Sequence, residues 1–325
     1  MSLILVQMDA GDFARRRAPT IASYARAITT FRGLTVAEAE AEAERDLASQ
    51  LPQGPATPGQ LLRTALVGGT EVGWIWVSLP GTTVPGSAWI SSVEVDPPFR
   101  GRGHAGAIVT AAENELIGGG VRGVGLNVFG DNDTARRLYD RLGYRVTARQ
   151  YFRPLTRLPA GEEAGVPAGE RIELAPMADY ERRIAALVAD YAQDLVEQQG
   201  LWHGEAEARA ARMLGGLLQR GVRTEGMILR TVVAAGVPVG WVWAALPAPP
   251  RSGMGWLHAI EIDPPFRSRG YGSAAIAAVE AELARRGVPR IGLNVHGGNV
   301  GARRLYERLD YRLLAQQMAK DLPGL

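Results

Sequence analysis

The sequence contains no cysteine. That excludes disulfides, a cysteinyl nucleophile and thiolate metal sites, so any acyl transfer here bypasses a cysteinyl-enzyme. Lysine is nearly missing too: Lys320 is the single one, and the other Lys/Arg positions are all arginine. Neither sign of charge is in excess, with 36 Lys and Arg against 34 Asp and Glu and a formal net charge of +2. No concentrated basic stripe points to nucleic acid. No apolar run approaches the roughly 20 residues of a membrane span. The short run Leu3-Ile4-Leu5-Val6 lacks both the length and the preceding basic residues of a secretory signal. The expectation is a cytoplasmic protein, with neither nucleic acid nor a membrane as partner.

What is present is a duplication. At about 100–200 residues per domain, 325 residues suggest two domains. Val93-Glu94-Val95-Asp96-Pro97-Pro98-Phe99-Arg100 returns as Ile260-Glu261-Ile262-Asp263-Pro264-Pro265-Phe266-Arg267, an offset of 167 residues from Arg100 to Arg267. The same offset relates Tyr24 to Tyr191, Glu38 to Glu205, Thr57 to Thr224 and Val72-Gly73-Trp74 to Val239-Gly240-Trp241. Roughly half the positions from Trp89 to Arg145 recur without a gap, and the period is far longer than a solenoid repeat, so each copy is a domain. The polar, Pro- and Gly-rich stretch near residues 157–169 reads as a linker between copies at 1–156 and 170–325.

One copy serves for the local reading of both. The pattern predicts a helix over 21–31 ended by Gly33, and a second helix opened by the capping box Thr35-Val36-Ala37-Glu38 and running to about Leu51. Strands are predicted at 60–67 and 72–79 around Gly68-Gly69-Thr70, then at 89–95, 124–129 and 144–153. Helices are predicted over 107–117 and 132–142. Hairpins early and βα units late define an α/β fold, a mixed sheet flanked by helices, in two tandem copies.

The chemistry-bearing segment is the loop after the central strand. Arg100-Gly101-Arg102-Gly103-His104-Ala105-Gly106 and Arg267-Ser268-Arg269-Gly270-Tyr271-Gly272-Ser273 each join a short apolar strand to a helix. Small residues there let successive backbone N–H groups approach a phosphate, and the helix dipole adds to the attraction. Neither loop has the Lys-Ser/Thr of a P-loop.

The pattern Arg-x-x-Gly-x-(Gly or Ala) after a strand ending in Asp-Pro resembles the acetyl-CoA signature of the GNAT acetyltransferase superfamily. Asn132-Asp133-Thr134-Ala135-Arg136-Arg137-Leu138-Tyr139 and Asn299-Val300-Gly301-Ala302-Arg303-Arg304-Leu305-Tyr306 are similar to its Asn-x-x-Ala-x-x-Leu-Tyr helix. The resemblance implies acetyl-CoA as cofactor and a small-molecule primary amine as acceptor, joined by direct transfer in a ternary complex. It implies that backbone groups of Val93, Glu94 and Val95, and of Ile260, Glu261 and Ile262, hold the pantetheine arm and acetyl carbonyl. The two loops would hold the pyrophosphate, and Asn132 and Asn299 would lie near the sulfur. Tyr139 and Tyr306 would protonate the departing thiolate, although each also fits a core position on an amphipathic helix.

The general base is left open. Asn127 and Asn294 stand where some relatives place a carboxylate, and an amide is a poor proton acceptor. Glu94, Glu261 and His258 are the candidates, with a water chain as the remaining option. His203, His258 and His296 have Val36, Ser91 and Phe129 as first-copy counterparts. Trp74, Trp76, Trp241 and Trp243 alternate along their strands, which favours core over a substrate box. Three functions compete: an acetyltransferase with two working copies, a mycothiol-synthase-like enzyme with one active and one structural copy, and an acyl-CoA sensor. The retained tyrosines favour an enzyme, and the expected assembly is a monomer with two pseudo-symmetric domains or a homodimer.

Overall fold

A computed structural model describes residues 2–32, 34–82, 86–130, 132–155, 170–199, 202–248 and 253–324. The linker at 157–169 and the stop at Gly33 lie outside the described residues. The first copy runs β1 (Leu3–Gln7), α1 (Ala10–Arg32), α2 (Val36–Gln50), β2 (Gln60–Val67), β3 (Thr70–Ser78), β4 (Ala88–Val95), α3 (His104–Gly118), β5 (Gly123–Phe129), α4 (Asp133–Arg141) and β6 (Arg145–Pro154). The second repeats this order as β7 (Ile172–Pro176), α5 (Tyr180–Gln199), α6 (His203–Leu217), β8 (Met227–Ala234), β9 (Val237–Ala245), β10 (Gly255–Ile262), α7 (Tyr271–Arg285), β11 (Arg290–His296), α8 (Val300–Arg308) and β12 (Arg312–Asp321).

The capping box at Thr35 is formed: its side chain accepts from the Glu38 amide while the Glu38 carboxylate accepts from the Thr35 amide at 2.8 Å. Two expectations needed correction. The apolar N-terminal run is strand β1, paired antiparallel with β2 from Leu3↔Val67 to Gln7↔Arg63. Five residues carry no period of their own, and only an edge partner makes them a strand. Helix α1 begins at Ala10 rather than near residue 21 and continues through Pro19. The arginine run and the proline hide its periodicity. Buried Asp12 anchors the first turn, taking the guanidinium of Arg16 at 2.7 Å and the Thr64 hydroxyl.

The molecule forms two compact units that are discontinuous in sequence. The first is Met1–Gln150, Val295–Val300 and Leu313–Leu325; the second is Tyr151–Asn294 and Gly301–Arg312. In the first, the strand order is β1-β2-β3-β4-β5-β12; in the second it is β7-β8-β9-β10-β11-β6. The closing strands are therefore exchanged between the copies. β12 pairs antiparallel with β5 from Ala315↔Phe129 to Asp321↔Gly123, and Met318 and Leu322 enter the first unit's core. The second unit buries their counterparts Tyr151 and Leu155.

Each sheet separates two cores. In the first unit Ile108, Ala112 and Leu116 of α3 pack with Ile75, Val77, Leu126 and Tyr139 on one face. On the other, Trp74 and Trp76 pack with Met8, Leu47 and Leu51, beneath α1 and α2. Trp241 and Trp243 repeat this with Leu214 and Leu218. All four tryptophans are core.

Candidate active sites

The site in each unit begins where two parallel strands part. β4 and β5 are in register only from Ala88↔Val124 to Ile90↔Leu126, although β4 continues to Val95. β10 and β11 stop likewise at Leu257↔Leu293. Val93 to Val95 and Ile260 to Ile262 thus keep an edge turned towards the gap. Opposite, β3 presses so close that a Cβ on Gly73 would stand 2.2 Å from the Glu94 carbonyl, and one on Gly240 2.1 Å from that of Glu261. A bulge precedes the gap. Trp76 pairs with Ser92 and Val77 with Ile90, leaving Ser91 over; Trp243 pairs with Ala259 and Ala244 with Leu257, leaving His258. Bulges of this kind re-aim one side chain.

The loops below carry the backbone features that an anion cradle needs. Gly103 and Gly270 cap α3 and α7 in the left-handed conformation, at φ 83° and 86°, and neither helix has a side-chain cap. Their first N–H groups are thus left for an external acceptor. A Cβ on Gly101 or Gly103 would meet nothing within 4 Å, so the space above the loop is open. Arg100 and Arg267 tie each loop back to its strand, donating to the carbonyls of Val95 at 2.9 Å and Ile262 at 2.8 Å. Arg102, Arg269 and Ser268 are exposed, while Ala105, Gly106, Gly272 and Ser273 are half-buried in the first helical turn. These features fit a pyrophosphate. His104 packs edge-on to Phe99, and Tyr271 donates its hydroxyl to Glu170 at 2.6 Å, so Tyr271 has only its backbone to offer.

Tyr139 on α4 and Tyr306 on α8 are nearly buried, and burial pushes both phenols far above the ordinary tyrosine range. Each packs edge-on against a second tyrosine, Tyr144 at 5.2 Å and Tyr311 at 5.3 Å between centroids. Asn132 caps α4, its side-chain oxygen accepting from the Ala135 amide at 2.9 Å. Asn299 is exposed just ahead of α8.

The candidate bases lie on the α1/α2 side of the first unit and the α5/α6 side of the second. Glu94 accepts from the Trp74 indole at 3.4 Å and stands 3.7 Å from Arg100. Glu261 accepts from Trp241 at 2.8 Å, with Arg183 at 3.6 Å and Arg267 at 3.8 Å. His258 is stacked on Trp243, 4.3 Å between centroids at 20°. Asn127 and Asn294 are exposed beyond the point where the strands part.

Sequence reasoning missed a clamp that occurs in both units. Arg16 of α1 grips Asp96 at the end of β4, at 2.9 and 3.3 Å, and also Asp12. Arg183 of α5 grips Asp263 at 2.5 and 2.8 Å, and also Asp179. Hydrogen bonding to Asp263 raises the Arg183 pKa, and the same bonds lower that of Asp263. The signal was available, since all three pairs recur at the 167-residue offset. Beside Arg16 lies only a small recess of about 10 Å³, lined by Phe13, Thr20, Leu47, Trp74 and Trp76.

The chain matches the acetyltransferase (GNAT) family over residues 29–144 and again over 184–311. It belongs to that family, and carries two of its domains. It is 32% identical to the mycothiol acetyltransferase of Thermobispora bispora over 226 residues, 67% of this chain and 70% of that protein. It is 26% identical to the uncharacterized N-acetyltransferase YycN of Bacillus subtilis over 148 residues, 45% of this chain and 95% of that protein. The crystal structure of a GCN5-related N-acetyltransferase from Sphaerobacter thermophilus superposes with a TM-score of 0.55 at 21% identity, covering 99% of this chain and 97% of the other; this likeness concerns the fold. No described helix is long and apolar enough to cross a membrane.

Proposed function

We propose that the protein is an acetyl-CoA-dependent N-acetyltransferase acting on the primary amine of a small molecule by direct transfer in a ternary complex. The observation that carries this reading is the same assembly built twice: parted strands, an uncapped helix behind a left-handed glycine, and a buried tyrosine on the following helix. Acetyl-CoA supplies a thioester activated towards amines. The α3 and α7 N-termini bind its diphosphate, and the open edges of β4 and β10 receive its amide-bearing arm. A backbone N–H at that edge stabilises negative charge on the carbonyl oxygen. Tyr139 and Tyr306 hold a proton for the leaving sulfur, and their raised pKa values keep it in place throughout the neutral range. The acceptor enters from the α1/α2 or α5/α6 face, the side on which Glu94, Glu261 and His258 meet the strand tryptophans.

A second reading, in which only one copy turns over, is supported by one asymmetry. The bulge presents His258 on Trp243 in the second copy and Ser91 in the first, and only the imidazole suits amine deprotonation near neutral pH. Likeness to a mycothiol acetyltransferase supports this variant without fixing the acceptor. Titration calorimetry with acetyl-CoA tests the proposal together with thiol release over a panel of amines. Two sites, one abolished by Gly103→Glu and the other by Gly270→Glu, support two working cradles. One site sensitive only to Gly270→Glu supports the second reading. Binding without thiol release from any amine makes the chain a sensor.

A further inference from the structure

Behind each candidate proton donor lies a buried acid, and its counter-charge comes from the other copy. In the second unit Tyr306 packs on Tyr311, whose hydroxyl donates to Glu280 of α7 at 2.7 Å. Glu280 is fully buried and pairs at 2.7 Å with Arg153, which stands on β6, 127 residues earlier in the first copy. In the first unit Tyr139 packs on Tyr144, beside Glu113 of α3, and Glu113 pairs at 2.6 Å with Lys320 on β12, 207 residues later in the second copy. Each member of one row is the 167-residue counterpart of the same member of the other: Glu113 and Glu280, Tyr144 and Tyr311, Arg153 and Lys320. The chain's only lysine is thus the cation that meets Glu113.

A carboxylate buried without a partner is strongly unfavourable, so neither α3 nor α7 can bury its glutamate in ionised form without the exchanged strand. We infer that the exchange of β6 and β12 makes the two sites mutually dependent: Arg153 is a positioning residue for Tyr306, and Lys320 for Tyr139. The dependence is crossed, each half of the sequence completing the tyrosine row of the other. The positioning role, though not the crossed lock, rests on the reading of the tyrosines as proton donors.

The test uses the full chain, with hydrogen exchange read along α3 and α7 and steady-state thiol release. Arg153→Met should raise exchange in residues 271–285 about tenfold or more while residues 104–118 stay protected, and Lys320→Met should do the reverse. Arg153→Lys should keep protection, because the first unit already uses lysine against the same acid. Arg153→Met should lower kcat for the second copy about tenfold with KM for acetyl-CoA within about threefold, and add nothing to Tyr306→Phe. If Arg153→Met does not fold, Arg153→Met with Glu280→Gln removes both charges and is read the same way. Uncrossed or absent changes in exchange would overturn the lock. Crossed exchange with unchanged kcat would overturn the positioning role. If Tyr306→Phe alone leaves kcat intact, the proton-donor reading fails, and the exchange data still decide the lock.

Discussion

Arg183 and Asp263 lie 80 residues apart, yet two guanidinium nitrogens meet the two carboxylate oxygens at 2.5 and 2.8 Å. Arg16 and Asp96 make the same bidentate contact in the other unit. The contact joins the first helix of each copy to the strand end from which the cradle loop departs.

Removing one partner strands the others. Arg183→Met leaves Asp179 and Asp263 without their shared cation, and Arg183 is itself only 5% exposed. The expected loss is about 2–4 kcal/mol in urea unfolding, since one partner of each pair retains some solvent. A second variant, Asp263→Asn, should cost less, and the two changes should not add. Because Arg183 depresses the Asp263 pKa, this contribution is present above the unfolded aspartate value and fades as the pH falls below about 4. Additive losses would show that the pair is not coupled.

In the proposed mechanism, Tyr306→Phe removes a proton that is needed only as the thiolate leaves. Turnover by the second copy should fall about tenfold or more while the calorimetric affinity for acetyl-CoA stays within about twofold. The phenol's raised pKa means the wild type should show no alkaline limb from this group below about pH 10. A limb near pH 9 that vanishes in the Phe variant would contradict this environment.

Four buried tyrosines, Tyr139, Tyr144, Tyr306 and Tyr311, have folded pKa values raised chiefly by burial. The unfolded chain releases those protons first. Their stabilisation is complete below about pH 10 and declines above it, by roughly 1.4 kcal/mol per tyrosine per pH unit. Denaturant midpoints taken from pH 8 to 11 should fall steeply past 10. A flat profile would mean that the phenols reach solvent.

Asp310 holds φ 60° where the first copy has Gly143 at 84°. The left-handed region strains any residue with a Cβ, aspartate less than most. Asp310→Gly should therefore stabilise the protein by about 0.5–1 kcal/mol without changing acetyl-CoA affinity. Ser268→Gly relieves a similar strain at φ 61°, but within the cradle, so there acetyl-CoA affinity is the informative readout.

The base candidates separate by pH. If the imidazole stacked on Trp243 accepts the amine proton, His258→Ala should lose most activity near pH 7 and regain part of it at high pH, where the amine deprotonates unaided. Glu261→Gln should then be mild, because its oxygens mainly receive Trp241 and face two arginines. The opposite ranking would move the role to Glu261, and two unchanged pH–rate profiles would leave it to water.

The 167-residue repeat was legible by direct comparison along the chain, and the capping box at Thr35, the strand–loop–helix order and the glycines that open α3 and α7 were legible because each rests on residues near one another in sequence. Local turn chemistry and helix capping need no distant partner. The family likeness followed from the same local motifs, and the match over both copies establishes it. Strand β1 and the early start of α1 were not legible, since five apolar residues and an arginine-rich turn become regular only against β2 and Asp12. The clamps Arg16–Asp96 and Arg183–Asp263 depended on the fold bringing residues 80 positions apart together, even though the repeat already carried their components. The exchange of β6 and β12 was the furthest from view. The two closing strands descend from one ancestor, so pattern alone cannot say which copy each one joins. Burial of Glu113 and Glu280, and the cations that reach them from the other copy, are fixed only by tertiary packing, where an unpaired charge is too unfavourable to keep.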